Sequence, residues 1–266
     1  MKTLSIDPNQ TLIVITGASG ALGKALKSIY TENGFSKFIC VDLHKPESHP
    51  QSEKWLTLDL SQLDAWKKVG ESINQIEHSK LIWIHTIAIA PKEYFYHSSI
   101  ETIINANAVN VNAVLIGTKI ILNAVLSHKR SANFIILSSI ADCVHPPGIS
   151  LYGASKAYIS NFCRSLQTEI EILKLPVHCL LVRPGAFSSS LIELDSGQSA
   201  YPNWMKKLIP DPDQVALQIY KAFLRNKKEC RPAGGVALSM IHHLLPRFMQ
   251  IKVYARQLNT WTRFKK

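Results

Sequence analysis

Six short runs of apolar, largely β-branched or aromatic residues, "TLIVIT", "KFICVD", "KWLTLD", "LIWIHTI", "NFIILSS" and "VHCLLVRP", alternate along the chain with longer stretches of helical character. Runs that are apolar through most of their length, rather than at every second position, suit strands buried on both faces, and such strands pair in parallel. Parallel neighbours need crossovers, and right-handed crossovers place helices on both sides of the sheet. The pattern predicts an α/β protein built on a doubly wound parallel sheet.

The chain has 266 residues, 46% of them hydrophobic, enough for one sizeable core and short for two domains. Residues 1–230 are read as a single domain, and 231–266 as a basic, apolar tail. After "VRPG" comes a polar, Ser-rich stretch, 188–210, holding "YPNWMKKLIP" with Trp204, Met205 and Leu208. Lying beyond a strand's carboxyl end, it is placed to act as a lid over a ligand. Asp211 then reads as an N-cap, with Pro212 at the first helical position, Gln214 completing a capping box, and Val215, Ile219, Tyr220 and Phe223 as the buried stripe.

Several classes are disfavoured. The amino end, "MKTLSIDPNQ", has no secretory pattern, and the longest apolar run, "LIWIHTIAIA", has ten residues against the roughly 20 that span a bilayer, so a cytoplasmic protein is expected. Five scattered cysteines without a C-x-x-C pair suggest neither a disulfide framework nor a metal site, and ten dispersed histidines read as surface residues. The net charge of +11 belongs mostly to the tail, where residues 230–266 hold seven basic residues and no acidic one.

"ITGASGALGKAL" sets Gly17, Gly20 and Gly23 between a strand and a helix, where a bare backbone can approach a pyrophosphate and the first helical N–H groups can face it. Asp42 ends the second strand, 25 residues after Gly17, where a carboxylate accepts hydrogen bonds from an adenosine ribose. This is a Rossmann-like pattern. A 2′-phosphate beside Asp42 would meet like charge, so NAD is favoured over NADP, although Lys24 and Lys45 are close in sequence.

In "SSIADCVHPPGISLYGASK", Tyr152 and Lys156 stand at i and i+4, one turn apart on a helix face. An ammonium there lowers a phenol's pKa from its ordinary value of about 10, which suits a group that exchanges a proton with a substrate oxygen. With Gly17, Asp42, Ser139, Tyr152 and Lys156 in view, the chain resembles the classical short-chain dehydrogenase/reductase family over about residues 10–230.

The resemblance implies roles. Ser139, thirteen residues before Tyr152, would hydrogen-bond the substrate oxygen; Tyr152 would be the general acid/base; Lys156 would hold the nicotinamide ribose and depress the tyrosine pKa. Asn110 in "NANAVNVNAV" would organise a proton-relay water, with Asn107 and Asn112 as alternatives. The cofactor would lie on Gly17, Ser19, Gly20, Leu22 and Gly23, on Asp42, and on Asp59 and Leu60 beside the adenine. Ala88 would sit near the ribose. "RPGAFSS" would be the family's Pro-Gly motif, with Pro184 and Gly185 along the cofactor and Phe187 offering backbone to the carboxamide, and Ser189 would be either a cofactor contact or a plain loop serine.

Three departures from the family stand out: Ala21 occupies the middle glycine position, "HTIAIA" replaces Asn-Asn-Ala-Gly and loses polar side chains that brace the central strand, and the basic tail replaces the usual ending. The favoured reading is an NAD(H)-dependent oxidoreductase acting on an alcohol or carbonyl substrate, with no metal. The alternative is a non-catalytic dinucleotide-binding regulatory or scaffold protein, against which the intact Ser-Tyr-Lys set argues. A homo-dimer or homo-tetramer is expected through the helices after Asn105 and Tyr152, whose apolar residues include Ile120, Ile121, Leu122, Phe162 and Leu166. In the tail, Met240, Ile241, Leu244, Leu245, Phe248 and Ile251 recur at helical spacing, with Pro246 expected to interrupt or kink the run. With the basic residues they suit peripheral contact with a membrane or with an acidic partner, or else close the core or a subunit interface; nucleic acid is disfavoured because no groove-reading element accompanies the charge.

Overall fold

A computed structural model describes residues 4, 6–188, 209–233 and 244–261. Seven parallel strands run in the order β3-β2-β1-β4-β5-β6-β7. They are β1 (Thr11–Thr16), β2 (Lys37–Asp42), β3 (Glu53–Thr57), β4 (Lys80–His85), β5 (Ser131–Leu137), β6 (Val177–Val182) and β7 (Glu229–Cys230). The helices are α1 (Ala21–Glu32), α2 (Leu63–Asn74), α3 (Ile100–Asn107), α4 (Ala113–Ser127), α5 (Ser150–Ile172), α6 (Pro212–Leu224) and α7 (Arg247–Trp261).

The side-chain alternation of each strand divides the core in two. Leu12 and Val14 of β1 face a layer with Trp66 of α2, Ile121 of α4 and Leu166 of α5. Ile13 and Ile15 face the opposite layer, with Leu26 and Tyr30 of α1 and Ile219 and Phe223 of α6. Because both faces are covered, the central strands can be apolar throughout, as the six runs require. The chain steps outward from β1 to β3 and then returns to β4 on the other side of β1. Connections leave β1 and β4 in opposite directions there, which opens a crevice at the strands' carboxyl ends.

Several expectations change. Asp211 takes the N-cap backbone conformation of α6, but its side chain makes no capping hydrogen bond; Pro212 and the buried stripe define that helix instead. β7, two half-buried residues, completes the sheet by pairing Glu229 and Cys230 with Leu181 and Val182. His78 and His85 are buried rather than on the surface. The helical stretch Ile100–Ser127 is long and apolar enough to cross a membrane by length and composition, contrary to the ten-residue maximum inferred from unbroken apolar runs, but half of its most apolar window is packed inside the protein. Of the residues expected at a subunit contact, Ile121 and Leu166 are buried, and Ile120, Leu122 and Phe162 pack against the same core.

In the tail, Pro246 precedes α7 and its carbonyl accepts the Met249 and Gln250 amides, so the proline starts the helix. Leu244, Phe248 and Ile251 are exposed rather than closing the core. Met240 and Ile241, most of the lid with Trp204, Met205 and Leu208, and Ser189 lie outside the described residues.

Candidate active site

The crevice holds a cavity of about 510 Å³ running from the glycine turn after β1 to Tyr152 and Lys156 on α5. Gly17 has φ +85, and a Cβ there would come 2.4 Å from Thr86 Oγ1. At Gly23 a Cβ would lie 2.1 Å from the Gly17 carbonyl oxygen, so the turn can fold onto α1 only without side chains at both places. Gly20 is the N-cap of α1 and has no side chain with which to cap it. The first-turn amides of α1 are therefore left for an anion, and that end of the helix carries partial positive charge.

Asp42 ends β2 beside this turn. Its carboxylate accepts the Ser19 amide at 2.9 Å and the Leu43 amide at 2.8 Å. The Ser19 hydroxyl donates to the His44 carbonyl, fastening the same corner. The His44 amide reaches the Asp42 carboxylate at 3.5 Å; a carboxylate has about four acceptor positions, so these three amides still leave capacity for a ribose hydroxyl. Lys24 and Lys45 are exposed and do not line the cavity. Asp59 accepts the Ser61 amide at 3.0 Å and, with buried Leu60, forms the adjoining wall. These groups fit an adenine dinucleotide.

At the other end, Lys156 is buried and donates to the Leu137 carbonyl at 3.0 Å, with Nζ 5.5 Å from the centre of the Tyr152 ring. Burial pulls its pKa down to about 8. Ser139 is also buried; its hydroxyl oxygen accepts the Ala141 amide at 3.1 Å, opening the turn Ile140–Asp142. The cavity wall there includes Ser138 but not Ser139. Ser138 donates to the Lys156 carbonyl at 2.7 Å, which makes it a brace between β5 and α5.

Asn110 lies in a π-helical turn, Ala108–Asn112, between α3 and α4, and is fully buried. Its amide pairs with both backbone groups of Ile89 at 2.8 Å and donates to Ser155 Oγ at 3.2 Å. Asn107 and Asn112 are exposed, and Asn107 donates to the Ile103 carbonyl of its own helix. Asn110 does not line the cavity, but Ile89, which it fixes, does.

Ala88, Pro184 and Phe187 are on the cavity wall, whereas Gly185 is buried behind it, donating to the Pro232 carbonyl at 3.0 Å. Thr86 and Asn105 also line the cavity and went unnoticed in the sequence. Thr86 corrects the expected loss of bracing: its hydroxyl reaches the Thr16 carbonyl at 2.9 Å and the Gly17 carbonyl at 3.1 Å. His85 Nδ1 lies 2.8 Å from the Thr16 hydroxyl, and burial pushes this imidazole down to about 3. A threonine and a neutral histidine thus brace the central strand in place of asparagines. The available signal was a histidine ending β4 opposite the Thr16 that ends β1, with a threonine directly after it.

The family model for short chain dehydrogenase matches residues 11–197. The chain belongs to the short-chain dehydrogenase/reductase family. Among relatives of this family member, very-long-chain 3-oxoacyl-CoA reductase-A of Danio rerio is 26% identical over 183 residues, which cover 63% of this chain and 56% of that one. The dehydrogenase/reductase SDR family protein 7-like of Anopheles gambiae is 26% identical over 275 residues, covering 95% and 85%. A short-chain dehydrogenase of Burkholderia cenocepacia J2315 solved with NADP superposes with a TM-score of 0.74 at 16% identity, covering 95% of this chain and 100% of that one. One of Burkholderia phymatum solved with NAD gives 0.75 at 14% identity, covering 93% and 96%. These similar folds carry both forms of the pyridine nucleotide.

Proposed function

We propose that this short-chain dehydrogenase/reductase interconverts an alcohol and a carbonyl compound with NAD(H), through Ser139, Tyr152 and Lys156. The observation that carries the reading is the buried Lys156 ammonium 5.5 Å from the Tyr152 ring, in a cavity that continues to an uncapped helix end and the Asp42 carboxylate. The nicotinamide, when bound, supplies or receives the hydride. Tyr152 exchanges the proton of the substrate oxygen, favoured by the nearby positive charge. Lys156 holds the ribose. Ser139, whose oxygen already accepts the Ala141 amide, donates its hydroxyl proton toward the substrate oxygen, and Asn110 orders the backbone for a relay water. Asp42 favours NAD(H), since the lysines near it in sequence stay outside the cavity.

The test is to incubate the purified protein with a panel of secondary alcohols and ketones, with NAD(H) and NADP(H) in parallel, and record nicotinamide absorbance. Turnover that Tyr152→Phe abolishes supports the reading; turnover retained by that variant refutes it.

We also propose a cytoplasmic homo-oligomer whose tail makes peripheral contact with anionic membrane. Support comes from the exposed Leu244, Phe248 and Ile251 beside Arg247 and Lys252. Co-sedimentation with anionic and neutral liposomes tests the membrane contact, and sedimentation velocity tests the assembly.

A further inference from the structure

Asp142 and Arg183 form a two-pronged buried ion pair outside the cavity wall. Arg183 Nε donates to Oδ2 at 2.5 Å and Nη2 to Oδ1 at 2.6 Å, with the side chains 7% and 3% exposed. Arg183 also donates through Nη1 to Glu229 of β7 at 3.0 Å. The Ser160 hydroxyl donates to the Asp142 carboxylate and stands 2.8 Å from the Ser138 hydroxyl, which donates to the Lys156 carbonyl.

Each anchor of this network adjoins a group with a proposed role. The Asp142 amide donates to the Ser139 carbonyl at 3.2 Å and so closes the turn that Ser139 begins. Ser160 lies one helical turn beyond Lys156 and two beyond Tyr152, on the same face of α5. Arg183 directly precedes Pro184, whose carbonyl accepts the Ile140 amide at 2.9 Å. Buried ion pairs are weak stabilising devices, because desolvation offsets much of their attraction. A planar guanidinium fork instead fixes distance and angle between the segments it joins.

We infer that Asp142 and Arg183 are positioning residues, which set the placement of Ser139 relative to Tyr152 and Lys156 by locking the β5 turn and one face of α5 to the end of β6. The inference rests on the proposed Ser-Tyr-Lys chemistry. It does not require either residue to touch the substrate.

The test compares wild type with the double variant Asp142→Leu/Arg183→Met, which removes both charges together and leaves neither buried alone. Three readouts are taken: kcat with a substrate from the alcohol and ketone panel, NADH affinity by fluorescence, and the alkaline absorbance titration of Tyr152, assigned as the wave missing from Tyr152→Phe. The groups facing the Lys156 ammonium are Tyr152 and Cys163 on α5 and His85 on β4, the last held neutral by burial.

The expected result is a folded protein with kcat lowered about tenfold or more, NADH affinity within about twofold of wild type, and the Tyr152 wave moved upward as Lys156 shifts away. Wild-type kcat and an unmoved wave would overturn the inference. If the double variant does not fold, Arg183→Lys carries the test: it keeps the charge but loses the fork, and a lower kcat supports positioning whereas wild-type kcat overturns it. If Tyr152→Phe itself keeps turnover, or no substrate is found, the functional reading fails separately and the Tyr152 wave alone decides whether the ion pair positions α5.

Discussion

Lys156 Nζ donates to the Leu137 carbonyl at 3.0 Å while lying 5.5 Å from the centre of the Tyr152 ring, so one ammonium ties α5 to the end of β5 and stands over a phenol of its own helix. The tyrosine thus lines the cavity beside a cation that is tethered to the sheet. Tyr152→Phe removes the hydroxyl and little volume. It should lower kcat by about 10²–10⁴-fold, the range for a lost general acid/base, and leave NADH binding near wild type. Steady-state kinetics and NADH fluorescence titration check both halves.

The same ammonium makes stability depend on pH with a definite sign. Burial holds Lys156 at about 8 against 10.5 for the ordinary side chain. Below about pH 8 both the folded and the unfolded chain carry the proton, so the full cost of burying charge is present, of order 3 kcal/mol. Between pH 8 and 10.5 the unfolded chain binds more protons, and stability rises with pH. Lys156→Met should therefore be the more stable protein at pH 7, by up to about 3 kcal/mol, with the gap closing as pH approaches 10.5. Urea unfolding of both proteins across this range measures it, and a gap independent of pH would contradict it.

Six of the seven strands were legible because being covered on both faces leaves its mark residue by residue, as in "TLIVIT" and "NFIILSS". β7 was not, since two half-buried residues at a sheet edge need no apolar run. Tyr152 and Lys156 could be paired from spacing because four residues bring two side chains together on any helix. The place of Asn110 could not be separated from those of Asn107 and Asn112, because its two bonds to Ile89 join segments 21 residues apart and depend on a π-helical turn that no local pattern announces. The bracing by His85 and Thr86 was missed for a similar reason: their partners, Thr16 and Gly17, lie at the end of another strand and in the turn after it.

Asp42 accepts the Ser19 and Leu43 amides, and it is the carboxylate proposed to hold a ribose. Asp42→Ala should weaken NADH by about 10–100-fold, as expected for lost hydrogen bonds to a charged group worth about 1.5–3 kcal/mol. It should also narrow the difference from NADPH, because the repulsion of a 2′-phosphate disappears. Calorimetric titration of both cofactors into both proteins checks this, and tighter NADPH binding to wild type would show that Asp42 does not set the preference.

The glycine turn permits a contrast between two neighbouring substitutions. A Cβ at Gly23 would lie 2.1 Å from the Gly17 carbonyl oxygen, a backbone atom that cannot yield without opening the turn. At Gly20 the nearest atom is the same oxygen at 3.3 Å, and φ is −69, an ordinary value for alanine. Gly23→Ala should lower thermal stability and abolish measurable NADH binding, whereas Gly20→Ala should stay within about 1 kcal/mol of wild type. Thermal melts with and without NADH separate them.

A hydrogen bond joins α7 to a loop beside the site. Tyr254 of α7 accepts the His145 amide at 3.2 Å, in the loop joining the Ser139 turn to α5, while the Glu93 amide fastens the same loop through the Gly148 carbonyl at 3.0 Å. Burial pushes the Tyr254 phenol above its ordinary pKa, so it stays neutral at physiological pH. Tyr254→Phe removes the acceptor, but the His145 residue is exposed and water can take its place, so the stability cost should be at most about 1 kcal/mol. The loop would lose a tether, and it lies between the residues proposed to hold the substrate oxygen. Substrate KM should therefore rise several-fold with NADH affinity unchanged, and truncation before Leu244 should reproduce the effect or exceed it. Unaltered KM in both proteins would show that α7 packs on the loop without restraining it.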